Sequence, residues 1–129
     1  MKTWAEAAIL AATMMAGVPA QAHHSFAMFD RSKEVQITGT VQSFEWGNPH
    51  VWLNLVVAEN GKQTVYGLEG SGINGLHRRG WTRDFIKPGD KATVIMNPLK
   101  NGTPGGAIVR VTGPNGTASD HDDATSTGA

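Results

Sequence analysis

The stretch KEVQITGTVQSF, residues 33–44, decides the fold class because its apolar residues alternate with polar ones. Val35, Ile37 and Val41 share one face of an extended chain, and polar side chains occupy the other face. A period of two is typical of a half-buried β-strand. Gly39 interrupts the apolar face, as glycine does where a strand bends sharply or bulges. The sequence therefore predicts a long first strand that bends near Gly39.

Four further segments on the C-terminal side of this stretch carry strand signals. HVWLNLVV, residues 50–57, repeats the alternation, and an Asn-Gly pair of the kind favoured in tight hairpins leads from it into QTVYGLE, residues 63–69. KATVIM and AIVRVT, residues 91–96 and 107–112, form a last strand pair, and the ten residues between them are rich in turn formers.

One segment between the third and fourth strands reads as helical. It covers residues 70–90, is broken at Gly80 and ends before Pro88. The resulting order, β-β-β-α-β-β, is that of the OB-fold, a small five-stranded barrel whose first strand serves both sheets. We predict an all-β protein with small helical content and an OB-like barrel. A short, partly open β-sandwich is the alternative, since strand order does not fix closure.

The first 22 residues have the layout of a secretory signal peptide. Lys2 supplies a positive charge, residues 7–17 form a short apolar run, and residues 18–22 carry the small side chains of a cleavage site. Cleavage is predicted after Ala22, with cleavage after Ala20 as a competitor. A buried helix or a membrane anchor fits less well because the run is brief. We expect a periplasmic or secreted product that does not insert into a membrane after processing.

Composition indicates how the rest of the chain is organised and which partners and metal ligands to expect. Residues 23–112 are expected to form one domain, and residues 113–129 a disordered tail, because their small, polar and acidic side chains bury little apolar surface. The sequence has 11 lysines and arginines and 11 acidic residues, a balance that gives no electrostatic reason to expect a nucleic-acid partner. Cysteine is absent, so any metal site must use mainly nitrogen and oxygen ligands.

Cleavage after Ala22 would make His23 the N-terminal residue. Its amine and ring nitrogen, with one further imidazole, would form the three-nitrogen arrangement called a histidine brace, which suits Cu(II). His24 follows directly, and His50 comes just after an Asn-Pro turn, so either could be the third ligand. The alternative is that both terminal histidines are solvated and that His50 only fixes its turn by a hydrogen bond.

Strand register tests this hypothesis. In the simplest register residues 25–29 pair with the first strand, Phe29 faces Glu34, and the following hairpin sets Phe44 opposite His50. The two imidazoles would then lie on the order of 13 Å apart, far beyond metal bonds of about 2 Å. A brace with His50 therefore requires the N-terminal segment to run straighter than a hairpin.

An arginine cluster is the second candidate site. Arg78, Arg79 and Arg83 surround Trp81, and guanidinium groups suit carboxylates, phosphates and aromatic faces. The alternative is that Trp81 closes the end of the barrel and the arginines pair with acidic residues, and we favour this alternative.

The residues around the Asn-Pro turn are a third candidate. Trp46 and Trp52 flank Asn48 and His50, and together they could form the wall of a ligand site, or the two indoles could be core and rim packing. The acidic residues 120–123 could hold a cation loosely, but a solvated charge run is the favoured interpretation.

These motifs together resemble a known family. AHHSFAMFD behind a signal peptide, NPHVW, NGLHRRGWTRD and NPLKNGTPGG are similar to segments of small exported bacterial proteins classed only as a domain of unknown function. The resemblance extends from Ala22 to about Pro114. It implies a small exported β-barrel of the periplasm, and it brings no activity, cofactor or partner.

We therefore predict an exported binding protein rather than an enzyme, since no phosphate loop, cysteine nucleophile or serine elbow is present in the sequence. The first hypothesis is copper binding through His23 with His50 or His24, for handling or sensing the metal. The second is a metal-free module that binds a peptide, a glycan or an anionic small molecule.

Overall fold

The computed structural model describes residues 28–121. Its elements are β1 (Val35–Glu45), β2 (Trp52–Glu59), β3 (Lys62–Glu69), α1 (Ile73–Arg78), β4 (Lys91–Pro98), β5 (Gly105–Gly113) and β6 (Gly116–Ser119). Within this part of the chain, no helix has the length and apolar character needed to cross a membrane. The predicted signal peptide lies outside the described residues.

Five of the strands close into a barrel. Their order is β3-β2-β1-β4-β5, and β3 pairs with β5 in parallel, so that Gly67 lies opposite Gly105 and the sheet has no gap. The other neighbouring pairs are antiparallel. The OB-like barrel predicted from the order of the elements is confirmed, and the open sandwich is not formed.

The first strand serves both halves of the barrel, as predicted. β1 pairs with β4 from Val35 to Thr40 and with β2 from Thr40 to Glu45. A Cβ atom on Gly39 would collide with the carbonyl group of Val56, so only glycine allows β1 and β2 to approach this closely. The change of register lies slightly further on, at Val41 and Ser43, where a bulge increases the local bend.

The core follows the alternation read from the sequence. All four apolar residues predicted to share one face of the second strand, namely Val51, Leu53, Leu55 and Val57, are buried. α1 and the turn after it close one part of this core with Leu76, Trp81 and Phe85.

The prediction that the chain is disordered from Gly113 onward is wrong for residues 113–121. β6 pairs with β5, from Arg110 opposite Ser119 to Gly113 opposite Gly116. Ala118 and Asp120 are buried. β6 buries almost no large apolar side chain. It is held by backbone pairing and by single polar contacts that composition does not reveal. Residues 122–129 lie outside the described part of the chain.

Two predicted strand pairings are also wrong. Phe29 forms an isolated bridge with Leu99 instead of facing Glu34. Phe44 lies opposite Leu53 and not opposite His50, because residues 46–51 form a wider connection than a tight hairpin.

The N-terminal part of the described chain is thus attached to the connection between β4 and β5. The amide of Asp30 donates to the Pro98 carbonyl oxygen at 2.8 Å, and the amide of Lys100 donates to that of Met28 at 2.9 Å. Hydrogen bonds from the hydroxyl and amide of Ser32 hold the pKa of Asp30 below its ordinary value. These contacts place Phe29 and Arg31 beside the end of β4 and the connection that follows it.

The β2–β3 hairpin carries one group with a strongly shifted pKa. The hydroxyl of Tyr66 donates to Glu59 Oε1, and this bond, together with partial burial and the nearby negative charge, raises the pKa of Tyr66 to about 12. Because the chain has a single tyrosine, its ultraviolet titration is unambiguous. We expect a midpoint near pH 12 in the folded protein, falling towards about 10 in Glu59→Gln.

The same shift predicts the direction of a stability change. Since the folded state raises the pKa of Tyr66, the contribution to stability is fully present below about pH 10 and is lost as the pH rises towards 12. A midpoint near pH 10 in the folded protein would show that the Tyr66–Glu59 bond does not form in solution.

Candidate functional site

A cavity of about 240 Å³ lies where the ends of β3 and β6 meet the N-terminal segment and α1. It is bounded by residues that are far apart in the sequence. Polar side chains of opposite charge and an apolar patch line it: Arg31, His50, Glu69, Ser71, Arg79, Asp120 and His121, with Phe29, Gly70, Ala107 and Ile108.

His50 occupies one wall of this cavity in a fixed orientation. Val51 continues the β2–β3 pairing, since its amide donates to Ser71 and its carbonyl accepts from Gly70. His50 Nδ1 therefore lies 3.0 Å from the Gly70 carbonyl oxygen and 3.5 Å from Glu69 Oε1. Because a carbonyl oxygen can only accept, Nδ1 carries the proton, and in the neutral ring Nε2 is left with a lone pair.

Asp120 forms the most buried polar part of the cavity, with 2% of its surface exposed. Its Oδ2 accepts a hydrogen bond of 2.9 Å from the Ser71 amide, and its own amide donates to the Val109 carbonyl oxygen. Its Oδ1 is buried without a hydrogen-bond partner among the described residues. A buried carboxylate oxygen left in this state costs about 1–3 kcal/mol or more, so it calls for an explanation.

Two arginines lie on the cavity walls. The guanidinium of Arg31 stands 5.9 Å from the Phe29 ring centre, and its Nη1 lies 3.4 Å from His121 Nε2. Arg79 follows α1, and a Cβ on Gly75 would lie 3.1 Å from its Nη1, so this helix glycine leaves room for the guanidinium. Arg31 and Arg79 both have interactions beyond these.

The structure brings together two of the predicted site residues, His50 and Arg79. Trp46 and Trp52 are not in the described lining of the cavity. Trp46 packs edge-on against His77 at 5.3 Å and against Phe44 at 5.9 Å, and Trp52 lies exposed on the outer face of β2.

The other predicted site residues among those described also lie outside the described lining of the cavity. Asn48 Oδ1 accepts a hydrogen bond of 2.9 Å from the Ile73 amide and so attaches the turn to the start of α1. Trp81 is 1% exposed and belongs to the core, as the favoured alternative predicted. Arg78 and Arg83 are exposed and are not part of the described cavity wall.

The two terminal histidines, His23 and His24, lie outside the described residues. Between residues 28 and 121, no group of three or more histidine, aspartate and glutamate side chains is arranged to hold a metal ion. A metal site that uses His50 therefore depends on at least one ligand from outside residues 28–121.

Comparison with protein families finds a match to a family of unknown function, DUF6152, over residues 11–108. This range is more than half of the 129-residue chain. The chain belongs to the DUF6152 family. The resemblance to a family without assigned function is thereby confirmed. No curated protein matches the sequence.

Five polar residues of this cavity were not predicted to be part of a binding site. They are Arg31, Glu69, Ser71, Asp120 and His121. Glu69 ends the strand whose continuation faces His50, so the hairpin register could have placed it. Asp120 and His121 belong to the acidic run that was interpreted as solvated, and only the pairing of β6 brings them to the cavity.

Proposed function

We propose that this protein is an exported β-barrel that binds Cu(II) through the amine and ring of His23 together with His50. Its role would be to handle or sense the metal. The layout of the first 22 residues supports export and a free amine at His23. His24 is the alternative third ligand.

The orientation of His50 is the observation that carries the proposal. Metal-binding histidines almost always donate the second ring N–H to a carbonyl or a carboxylate, which fixes the ring and the tautomer. His50 has this arrangement, with Gly70 at 3.0 Å and Glu69 at 3.5 Å, and 39% of its side chain is exposed.

Chain length is compatible with the proposed site. Phe29 lines the same cavity as His50, and His23 precedes Phe29 by six residues. Six residues of chain span at most about 20 Å. The N-terminal amine is therefore within covalent reach of the cavity.

The test compares the form beginning at His23 with the same form carrying an N-terminal extension of Gly-Ser-Gly-Ser, which removes the amine from His23 and leaves no histidine at the third position. Cu(II) should bind tightly only to the first, and the extension should weaken binding by at least about 100-fold, because losing a direct ligand costs more than losing an outer-shell contact. Affinity should also fall as the pH drops from about 8 to 6, since the amine and the imidazoles become protonated. Equal affinity of the two forms would contradict the proposal.

A matched pair of histidine variants separates His50 from general surface binding. His50→Gln should weaken Cu(II) binding strongly, whereas His77→Gln should not, because His77 is exposed on α1 and outside the described cavity wall. Mass spectrometry of exported material should give His23 as the first residue. Processing after Ala20 would leave Gln21 first and would exclude the chelate.

The second candidate function is a metal-free binding module. The cavity favours it, because charged side chains stand around an apolar patch of Phe29, Ala107 and Ile108, an arrangement typical of small-molecule sites.

A further inference from the structure

We propose that the cavity bounded by Arg31, Arg79, Glu69 and Asp120 binds a small zwitterion, a free α-amino acid with an aliphatic side chain. This inference goes beyond copper binding, and it requires neither the His23 amine nor a metal. It rests on three features of the cavity, namely its buried carboxylate, its two guanidinium groups and its size.

The buried carboxylate of Asp120 calls for a hydrogen-bond donor. Oδ2 is held by the Ser71 amide, while Oδ1 has no partner among the described residues. Glu69 adds a second carboxylate with 14% of its side chain exposed, and the lone pair of His50 Nε2 adds another acceptor. A primary ammonium group carries three donors and one positive charge, so it matches these acceptors.

The arginines supply the positive charges of the cavity wall. Arg31 is held in place by the Phe29 ring, by His121 Nε2 and by Asn97 Oδ1, the last at 3.5 Å from its Nη1. Arg79 is placed by the end of α1. Guanidinium forks are suited to carboxylates and are most effective when their orientation is already fixed.

The balance of charge selects the ligand class. Two carboxylates and two guanidinium groups line one cavity, so a simple anion would face Asp120 and Glu69, and a simple cation would face Arg31 and Arg79. A molecule that carries an ammonium and a carboxylate on adjacent carbons can satisfy both pairs.

The volume and the apolar patch define the rest of the ligand. About 240 Å³ is just below the range of roughly 300–1,000 Å³ found for sites of drug-sized ligands. Phe29, Ala107 and Ile108 are buried apolar residues against which an aliphatic side chain can pack. L-leucine is the probe that combines these properties.

Calorimetric titration of the folded chain with L-leucine, in the presence of EDTA, tests the proposal. We expect saturable binding, and binding at least about tenfold weaker for leucinamide, which lacks the carboxylate, and for 4-methylpentanoate, which lacks the ammonium group. The form with the N-terminal extension should bind leucine equally well. Equal leucine binding by the two forms would show that the leucine site does not depend on the copper site.

Neighbouring arginines provide a matched control. Arg79→Gln should weaken leucine binding at least about tenfold, whereas Arg78→Gln should leave it unchanged, because Arg78 is exposed and outside the described cavity wall. Asp120→Asn should weaken leucine binding as well. If that variant does not fold, the comparison of Arg79→Gln with Arg78→Gln still tests the proposal. The proposal is overturned if leucine shows no saturation at about 10 mM. Equal affinity for leucine and its two analogues, or equal effects of both arginine variants, would overturn it too.

Discussion

Replacing Trp81 with alanine is expected to lower the free energy of unfolding by about 3–5 kcal/mol, the range for deleting a buried aromatic side chain. The indole is 1% exposed and packs against Phe85 with ring centres 5.0 Å apart. Its Nε1–H also donates to the Ser119 carbonyl oxygen at 2.9 Å, so the substitution also removes this hydrogen bond to β6. Since small domains are stable by only about 5–15 kcal/mol, much of the stability would be lost.

Urea unfolding followed by far-ultraviolet circular dichroism measures this change, and Trp52→Ala is the matched control. Trp52 is 39% exposed on the outer face of β2, so its removal should change the free energy of unfolding by no more than about 1 kcal/mol. Equal destabilisation by the two substitutions would mean that Trp81 does not occupy the core in solution.

Deleting residues 114–129 is the second change with a large expected effect. The deletion removes β6 and leaves the Trp81 indole N–H and the Ser71 amide without their acceptors, Ser119 and Asp120. At about 1–3 kcal/mol for each donor left without a partner, the free energy of unfolding should fall by at least about 2 kcal/mol. Loss of the β5–β6 pairing and of buried Ala118 adds to this.

Deleting residues 122–129 alone is the control for the longer truncation. It keeps every contact that the structure describes, so the midpoint of urea unfolding should stay close to that of the full chain. If both truncations behave alike, then β6 contributes nothing to stability, and the original prediction of a disordered tail would hold for the whole C-terminal segment.

The candidate site could be predicted only in part, because a cavity of this kind has no local pattern. His50 was predicted as a site residue from the Asn-Pro turn that precedes it, and Arg79 from the cluster of arginines around Trp81. Arg31, Glu69 and Asp120 each contribute one polar side chain from distant positions, and no spacing in the sequence relates them. Three different pairings of the chain bring them together: the bridge of Phe29 with Leu99, the register of β2 with β3, and the attachment of β6 to β5.

The sequence by itself determined five of the six described strands, the helical segment between the third and fourth strands, and the bend of the first strand. These features are local: Ile37 and Val41 belong to the alternating pattern of a strand, and Gly39 marks the point where that strand bends. Only the tertiary structure decided the parallel closure of β3 on β5, the ordering of β6 and the cavity that contains Asp120. Those features depend on contacts between residues far apart in the sequence, such as the close approach of Gly105 to the Gly67 carbonyl oxygen and the hydrogen bond from the Ser71 amide to Asp120 Oδ2. Such contacts leave no local pattern in the sequence.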